Sequence, residues 1–188
     1  MNLDEFLQRE KEILDKMQDQ GRQVSQSGLV SKVPQEGTMT GYLVCLRFLN
    51  KDVDPIAALS RQIQRSLNGR SLVYGLDQIR QTIADYQVAA QNIKPNDFVP
   101  DEVVLDKLKR ASQEALACFG KTPLFTEFGS YIYSPDSVVL RPVGGQGHYD
   151  LRELVAENAA KEGLEVRPAW GRHITISRFT EAIPSQDL

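Results

Sequence analysis

The sharpest chemical signal in the chain is Gly171-Arg172-His173-Ile174-Thr175-Ile176-Ser177-Arg178-Phe179. The run is rich in β-branched residues, and in a strand successive side chains alternate between faces. His173, Thr175 and Ser177 then share one face, while Ile174 and Ile176 share the other. An imidazole beside two hydroxyls can move a proton while the hydroxyls hold an oxyanion. Strict alternation sends Arg172 and Arg178 to the opposite face, where only a twist or a bulge brings them to the same ligand. An H-x-T tripeptide also occurs in ordinary half-polar edge strands, so its meaning depends on what surrounds it.

Few other residues compete for chemistry. There are 2 histidines in all, which excludes a three-histidine metal site. The second, His148, follows Gly144-Gly145-Gln146-Gly147 and reads as a solvent-facing histidine at a helix start. That glycine run lacks both the GxGxxG spacing and the GK[ST] ending of phosphate loops, so it reads as a flexible connection. Tyr42, Tyr86, Tyr131 and Tyr133 read as core or base-stacking aromatics, since phenols are poor bases at neutral pH. The 2 cysteines, Cys45 and Cys118, exclude a disulfide framework and read as small buried hydrophobes.

Composition sets the outer bounds. The 188 residues suit one domain, and 41% hydrophobic with 25% charged residues is ordinary for a globular protein. A net charge of −3 argues against coating duplex DNA or an anionic membrane, and confines any RNA contact to a local pocket. No leader-like or spanning apolar run occurs, and with unpaired cysteines the expectation is a cytoplasmic location. No cofactor is called for.

The elements that must position the motif follow from periodicity. Residues 2–19 read as an amphipathic helix carrying Leu3, Phe6, Leu7, Ile13, Leu14 and Met17, with Gly21 as its stop. The stretch 20–41 reads as a connection, and Tyr42–Phe48 as a buried strand. Asp54-Pro55 opens a helix that Asn68-Gly69 ends. One or two strands lie in 72–88, followed by a loop at 91–100. Asp101 caps a helix to Phe119, and Leu124–Tyr133 with Val138–Val143 form a hairpin around Ser134-Pro135-Asp136. Asp150 caps a helix to Lys161, and Arg172–Phe179 is the last strand. This order gives the expectation of an α+β fold, one domain of two similar lobes sharing one core.

The motif, its place on the last strand and this order of elements resemble the 2H phosphoesterase superfamily, over roughly residues 40–180. That group includes the 2′,3′-cyclic nucleotide phosphodiesterases and the bacterial 2′-5′ RNA ligases. Its members have two pseudo-symmetric lobes, each giving one H-x-[TS] strand to a central cleft, so the resemblance implies two lobes here, each a small, mainly antiparallel sheet with helices outside, around such a cleft. The resemblance implies that the first motif falls on Ile79-Arg80-Gln81-Thr82-Ile83, where Arg80-x-Thr82 stands for His-x-Thr. In the mechanism it implies, one histidine activates the nucleophile, the other protonates the leaving oxygen, and the hydroxyls bind phosphate. An arginine cannot exchange its proton at neutral pH, but it can bind phosphate through two parallel hydrogen bonds. The expected site is therefore Arg80, Thr82, His173 and Thr175 with Ser177 as a further donor. Its ligand would be a phosphodiester, a cyclic nucleotide, an RNA end or a small phosphorylated metabolite. Two alternatives stay open: a binding module on the same fold that no longer catalyses, and an interaction protein in which the H-x-T strand is coincidence.

Overall fold

The computed structural model describes residues 1–26, 41–48, 50–74, 78–87, 99–120, 124–181 and 183. Most of the expected connection at 20–41 and most of the expected loop at 91–100 fall outside these residues. Four helices and two antiparallel sheets give an α+β architecture among the described residues. The elements run α1 (Leu3–Gln26), β1 (Gly41–Arg47), α2 (Asn50–Ser66), β2 (Ser71–Val73), β3 (Arg80–Gln87), α3 (Glu102–Phe119), β4 (Phe125–Tyr133), β5 (Ser137–Gln146), α4 (His148–Lys161), β6 (Arg167–Pro168) and β7 (Ile174–Phe179). One sheet has the order β1-β3-β6 and the other β2-β7-β5-β4.

Apolar faces dictate the layering. Val53, Ala57, Ile63 and Leu67 of α2 bury against Val138, Leu140, Ile174, Ile176 and Phe179 of the four-stranded sheet. Leu14 of α1 packs with Ile132 and Val139, and Trp170 closes that cluster. Ile83 and Ala84 of β3 meet Leu108, Ala111 and Ala115 of α3 and Leu151, Val155 and Ala159 of α4.

Local chemistry explains the element ends. Asn2 and Glu5 form a reciprocal cap on α1: the Glu5 N–H donates to Asn2 Oδ1 at 2.9 Å and the Asn2 N–H to Glu5 Oε2 at 3.0 Å. Asp101 caps α3 as expected, accepting from the N–H groups of Val103 and Val104. Asn68 (φ 53°) and Gly69 (φ 80°) turn the chain out of α2, with the Gly69 N–H donating to the Gln64 carbonyl at 2.9 Å. The hairpin β4–β5 turns at Ser134–Asp136, closed by the Ser134 N–H to the Ser137 carbonyl.

Several boundaries differ from expectation. α2 begins at Asn50 and carries Pro55 inside it; so near the start, a proline forfeits only one helical bond. β5 runs through Gly144 and Gly145 to Gln146, where a loop was expected. Gly145 has φ +125°, and a Cβ there would lie 2.5 Å from the Phe125 carbonyl, so the glycines permit close pairing with β4. α4 starts two residues before Asp150, with Gly147 (φ 82°) as its N-cap. Cys118 is exposed and Cys45 only half-buried.

Gly21 does not stop α1, which continues to Gln26. Its buried face is Phe6, Glu10, Leu14 and Gly21, whereas Leu3 and Leu7 point to solvent. A Cβ on Gly21 would come 2.1 Å from the Tyr133 carbonyl oxygen, so the helix crosses β4 where only glycine fits. Gly21→Ala is expected to destabilise the protein by about 1–3 kcal/mol through overpacking. A thermal melt reads this directly, and an unchanged midpoint would contradict the close crossing.

Candidate functional site

Arg80, Thr82, His173 and Thr175 line one cavity of about 380 Å³, together with Leu43, Tyr74, Gln78 and Arg178. Two strands supply its polar floor. β3 contributes Arg80 and Thr82; β7 contributes Thr175 and Arg178, with His173 just before its first residue. Alternation places these side chains on one face and Gln81 and Ile174 behind them, buried.

In each strand the alternation then breaks. Thr82 pairs with Cys45 and Ala84 with Val44, leaving Ile83 as an extra residue. Thr175 pairs with Val139 and Ser177 with Val138, leaving Ile176 as an extra residue. A bulge shifts every later side chain by one position. Ser177 accordingly turns inward: it is fully buried, and its hydroxyl donates to the Leu72 carbonyl at 3.0 Å. The expectation that Ser177 supplies a further ligand donor is corrected, because the bulge at Ile176 puts Arg178 in the cavity in its place.

Arg178 is held in two directions. Its Nε–H donates to the Tyr74 hydroxyl oxygen at 2.9 Å, and Nη1 lies 3.4 Å from Asp136 Oδ2. Arg80 is exposed and has no ion-pair partner among the described residues. Among the described residues no Asp or Glu lines the cavity. The site is thus a cationic, donor-rich concavity suited to an anion with several oxygen acceptors.

His173 sits under a roof. Its ring stacks on Trp170 at a centroid distance of 4.0 Å and an interplanar angle of 17°. Burial pulls its pKa down to about 4, and Nδ1 is buried without a hydrogen-bond partner. At neutral pH it is an uncharged imidazole with one nitrogen able to accept a proton.

His148 is not the solvent-facing residue expected from its glycine-rich lead-in. It is 2% exposed, stacks on Phe6, and its Nε2 lies 3.1 Å from the Thr82 carbonyl oxygen. A carbonyl only accepts, so Nε2 carries the proton and Nδ1 is left without a partner. Burial, assisted by the nearby Arg172 and Arg152 charges and opposed by the Thr82 bond, brings its pKa down to about 4. His148 therefore supports β3 from behind and does not line the cavity. A larger cavity of about 530 Å³ lies on that side, with walls mainly of aliphatic and phenylalanine side chains. Among the described residues no three His, Cys, Asp or Glu side chains converge as a metal-ligand set.

The segment before His173 is clamped from several elements. Glu10 of α1 accepts from the Arg172 backbone N–H at 2.5 Å and from Nη2 at 2.6 Å, and both side chains are almost wholly buried. Gln81 of β3 donates to the Arg172 carbonyl, and Arg172 Nη1 donates to the Gly145 carbonyl at 3.2 Å. A Cβ on Gly171 would press on Glu10 at 3.2 Å.

Sequence reasoning missed Tyr74, Gln78 and Arg178 as cavity residues, and Glu10 and Trp170 as the supports of Arg172 and His173. Arg178 carried a usable signal, since a bulge was the stated condition for its reaching the ligand. None of Tyr42, Tyr86, Tyr131 and Tyr133 lines the cavity. Tyr42 instead accepts from the Asp101 N–H at 2.6 Å, and Tyr131 packs edge-on to Tyr133.

Two expectations follow. Glu10→Ala leaves the Arg172 charge buried and unpaired, which costs about 3–5 kcal/mol, measurable by urea unfolding at pH 7. Both histidines stay neutral in the folded chain down to about pH 4, whereas in the unfolded chain they take up protons near pH 6.5. The unfolded state binds more protons across that window, so this stability is complete above it and falls as the pH drops. Between pH 7 and pH 5 the loss is on the order of 2 kcal/mol per histidine, and His148→Gln removes one share of the slope. A urea midpoint that does not move between those pH values would contradict the buried neutral state.

Compared with known proteins, the chain matches no family model and no curated protein.

Proposed function

We propose that the cavity binds a phosphate ester and that the chain is a phosphoesterase-like protein of the 2H type, acting on a phosphodiester, a cyclic nucleotide or an RNA end. The observation that carries this reading is the convergence of Arg80 and Thr82 from β3 with His173 and Thr175 from β7 on one cavity. Further support comes from the bulges. Each strand places its extra isoleucine directly after the threonine, Ile83 in one and Ile176 in the other. Two lobes related by an approximate twofold axis, each giving one motif strand, would account for that repetition.

The chemistry follows from the groups present. The Thr82 and Thr175 hydroxyls donate to non-bridging phosphate oxygens, and the Arg80 and Arg178 guanidiniums balance the charge that builds on them. Neutral His173 takes the proton of the attacking oxygen. Its aromatic roof, Trp170, keeps the imidazole dry and oriented. A cavity of about 380 Å³ lies at the small end of ligand sites, the size of a mononucleotide or a phosphorylated metabolite.

A second reading is favoured by two of the same residues. Arg80 occupies the place where a second imidazole would stand, and His173 is a weak base with its pKa near 4. On that reading the protein is a non-catalytic nucleotide- or phosphate-binding module.

Calorimetry and turnover of 2′,3′-cyclic AMP separate the two. Catalysis predicts measurable hydrolysis that His173→Ala lowers by about 10²–10⁴-fold. Both readings predict that Arg80→Ala weakens binding by about tenfold, the loss of one charge-assisted contact. Binding without turnover selects the module; the absence of both removes the phosphate-ester reading.

A further inference from the structure

We propose that Tyr74 is the general acid of this cleft, the group that protonates the leaving oxygen while His173 accepts the proton of the nucleophile. The inference rests on the phosphodiester reading above and addresses what Arg80 cannot do. Cleaving a phosphodiester releases an alkoxide, which needs a proton as the bond breaks. Arginine holds its protons too tightly to serve, and a neutral imidazole that is acting as the base has none to spare. Threonine hydroxyls and the Gln78 amide are no better as acids. Among the described residues that line the cavity the Tyr74 phenol remains. Phenols keep their proton at neutral pH and give it up to a base as strong as an alkoxide.

The geometry presents that proton. Tyr74 directly follows β2, which pairs with β7 through Val73 and Ser177. Its backbone N–H points to Ser60 Oγ at 3.4 Å, and its ring packs on the core beneath the four-stranded sheet. The phenolic oxygen already accepts from Arg178 Nε at 2.9 Å. With one lone pair so engaged, the hydroxyl hydrogen is left to donate elsewhere. The same guanidinium would hold the phenolate formed when the proton departs.

The step balances without a co-reactant other than water. Water oxygen bonds to phosphorus, and its proton passes to the His173 imidazole. The ester P–O bond breaks with its electron pair on the departing oxygen, which takes the Tyr74 proton. Solvent then carries the imidazolium proton back to the phenolate, leaving a phosphomonoester and an alcohol.

The test compares two esters on the full chain: 2′,3′-cyclic AMP, whose alkoxide needs a proton, and bis(p-nitrophenyl) phosphate, whose nitrophenolate does not. Tyr74→Phe is expected to lower kcat on the cyclic ester by about 10²–10⁴-fold, with KM changed less than about threefold. On the aryl ester its fall should be at least about tenfold smaller than on the cyclic ester, and the aryl-ester turnover that remains also reports that the variant folds. His173→Ala should lower both. An equal fall on both esters would reduce Tyr74 to a prop for Arg178 and overturn the proposal, as would a wild-type rate on the cyclic ester. No wild-type turnover of either ester would remove the hydrolytic reading, and the role of Tyr74 with it.

Discussion

The buried ion pair between Glu10 and Arg172 is the constraint around which the rest is arranged. Charges taken out of water are tolerated only when every donor and acceptor is met, and here the requirement is met by α1, β3 and β5 together. The residue so fixed is the one that precedes His173. A hydrophobic pair of similar volume could fill the same space with comparable stability. What it could not do is accept the Arg172 backbone N–H, as Glu10 does while Gln81 holds the carbonyl of the same residue. Positional definition beside the imidazole is what this arrangement supplies.

A second theme is the use of the two faces of β3. Its outward face gives Arg80 and Thr82 to the cavity, while its inner face gives Gln81 to the Arg172 carbonyl. His148 meets the same strand at the Thr82 carbonyl. The two histidines thus lie on opposite sides of one strand, both desolvated and both neutral. One contributes to the cavity and the other to the backbone beneath it. Their shared burial ties the protein's acid sensitivity to the site's own architecture.

Much of the architecture was legible because periodicity and capping are local. Asp101 before α3, Asn68-Gly69 after α2 and the turn at Ser134–Asp136 act through neighbouring residues, and each lies where expected. The cavity residues His173 and Thr175 were legible through their spacing on a strand, and Arg80 and Thr82 only through the family resemblance. The failures share a different physical origin. Gly21 resembles a helix stop until Tyr133, remote in sequence, crosses it. The run at Gly144 and Gly145 resembles a loop until β4 approaches Gly145 too closely for any Cβ. His148 resembles a surface residue until Phe6 covers it. Tertiary contact decided all three, and no local window contains it.

The bulge at Ile176 has a consequence for how such a cleft can change over time. Cavity membership along β7 is set by a count of residues, so chemical identity there is not altered by substitution alone. Closing the bulge without losing a residue, so that Ile176 takes the inward place Ser177 now holds, would restore strict alternation, return Ser177 to the cavity and drive Arg178 toward the core. A cation would be exchanged for a hydroxyl without any codon being rewritten. The charge of the cavity is therefore open to a change of strand register, a route by which one scaffold can exchange a cation for a neutral donor in a single event.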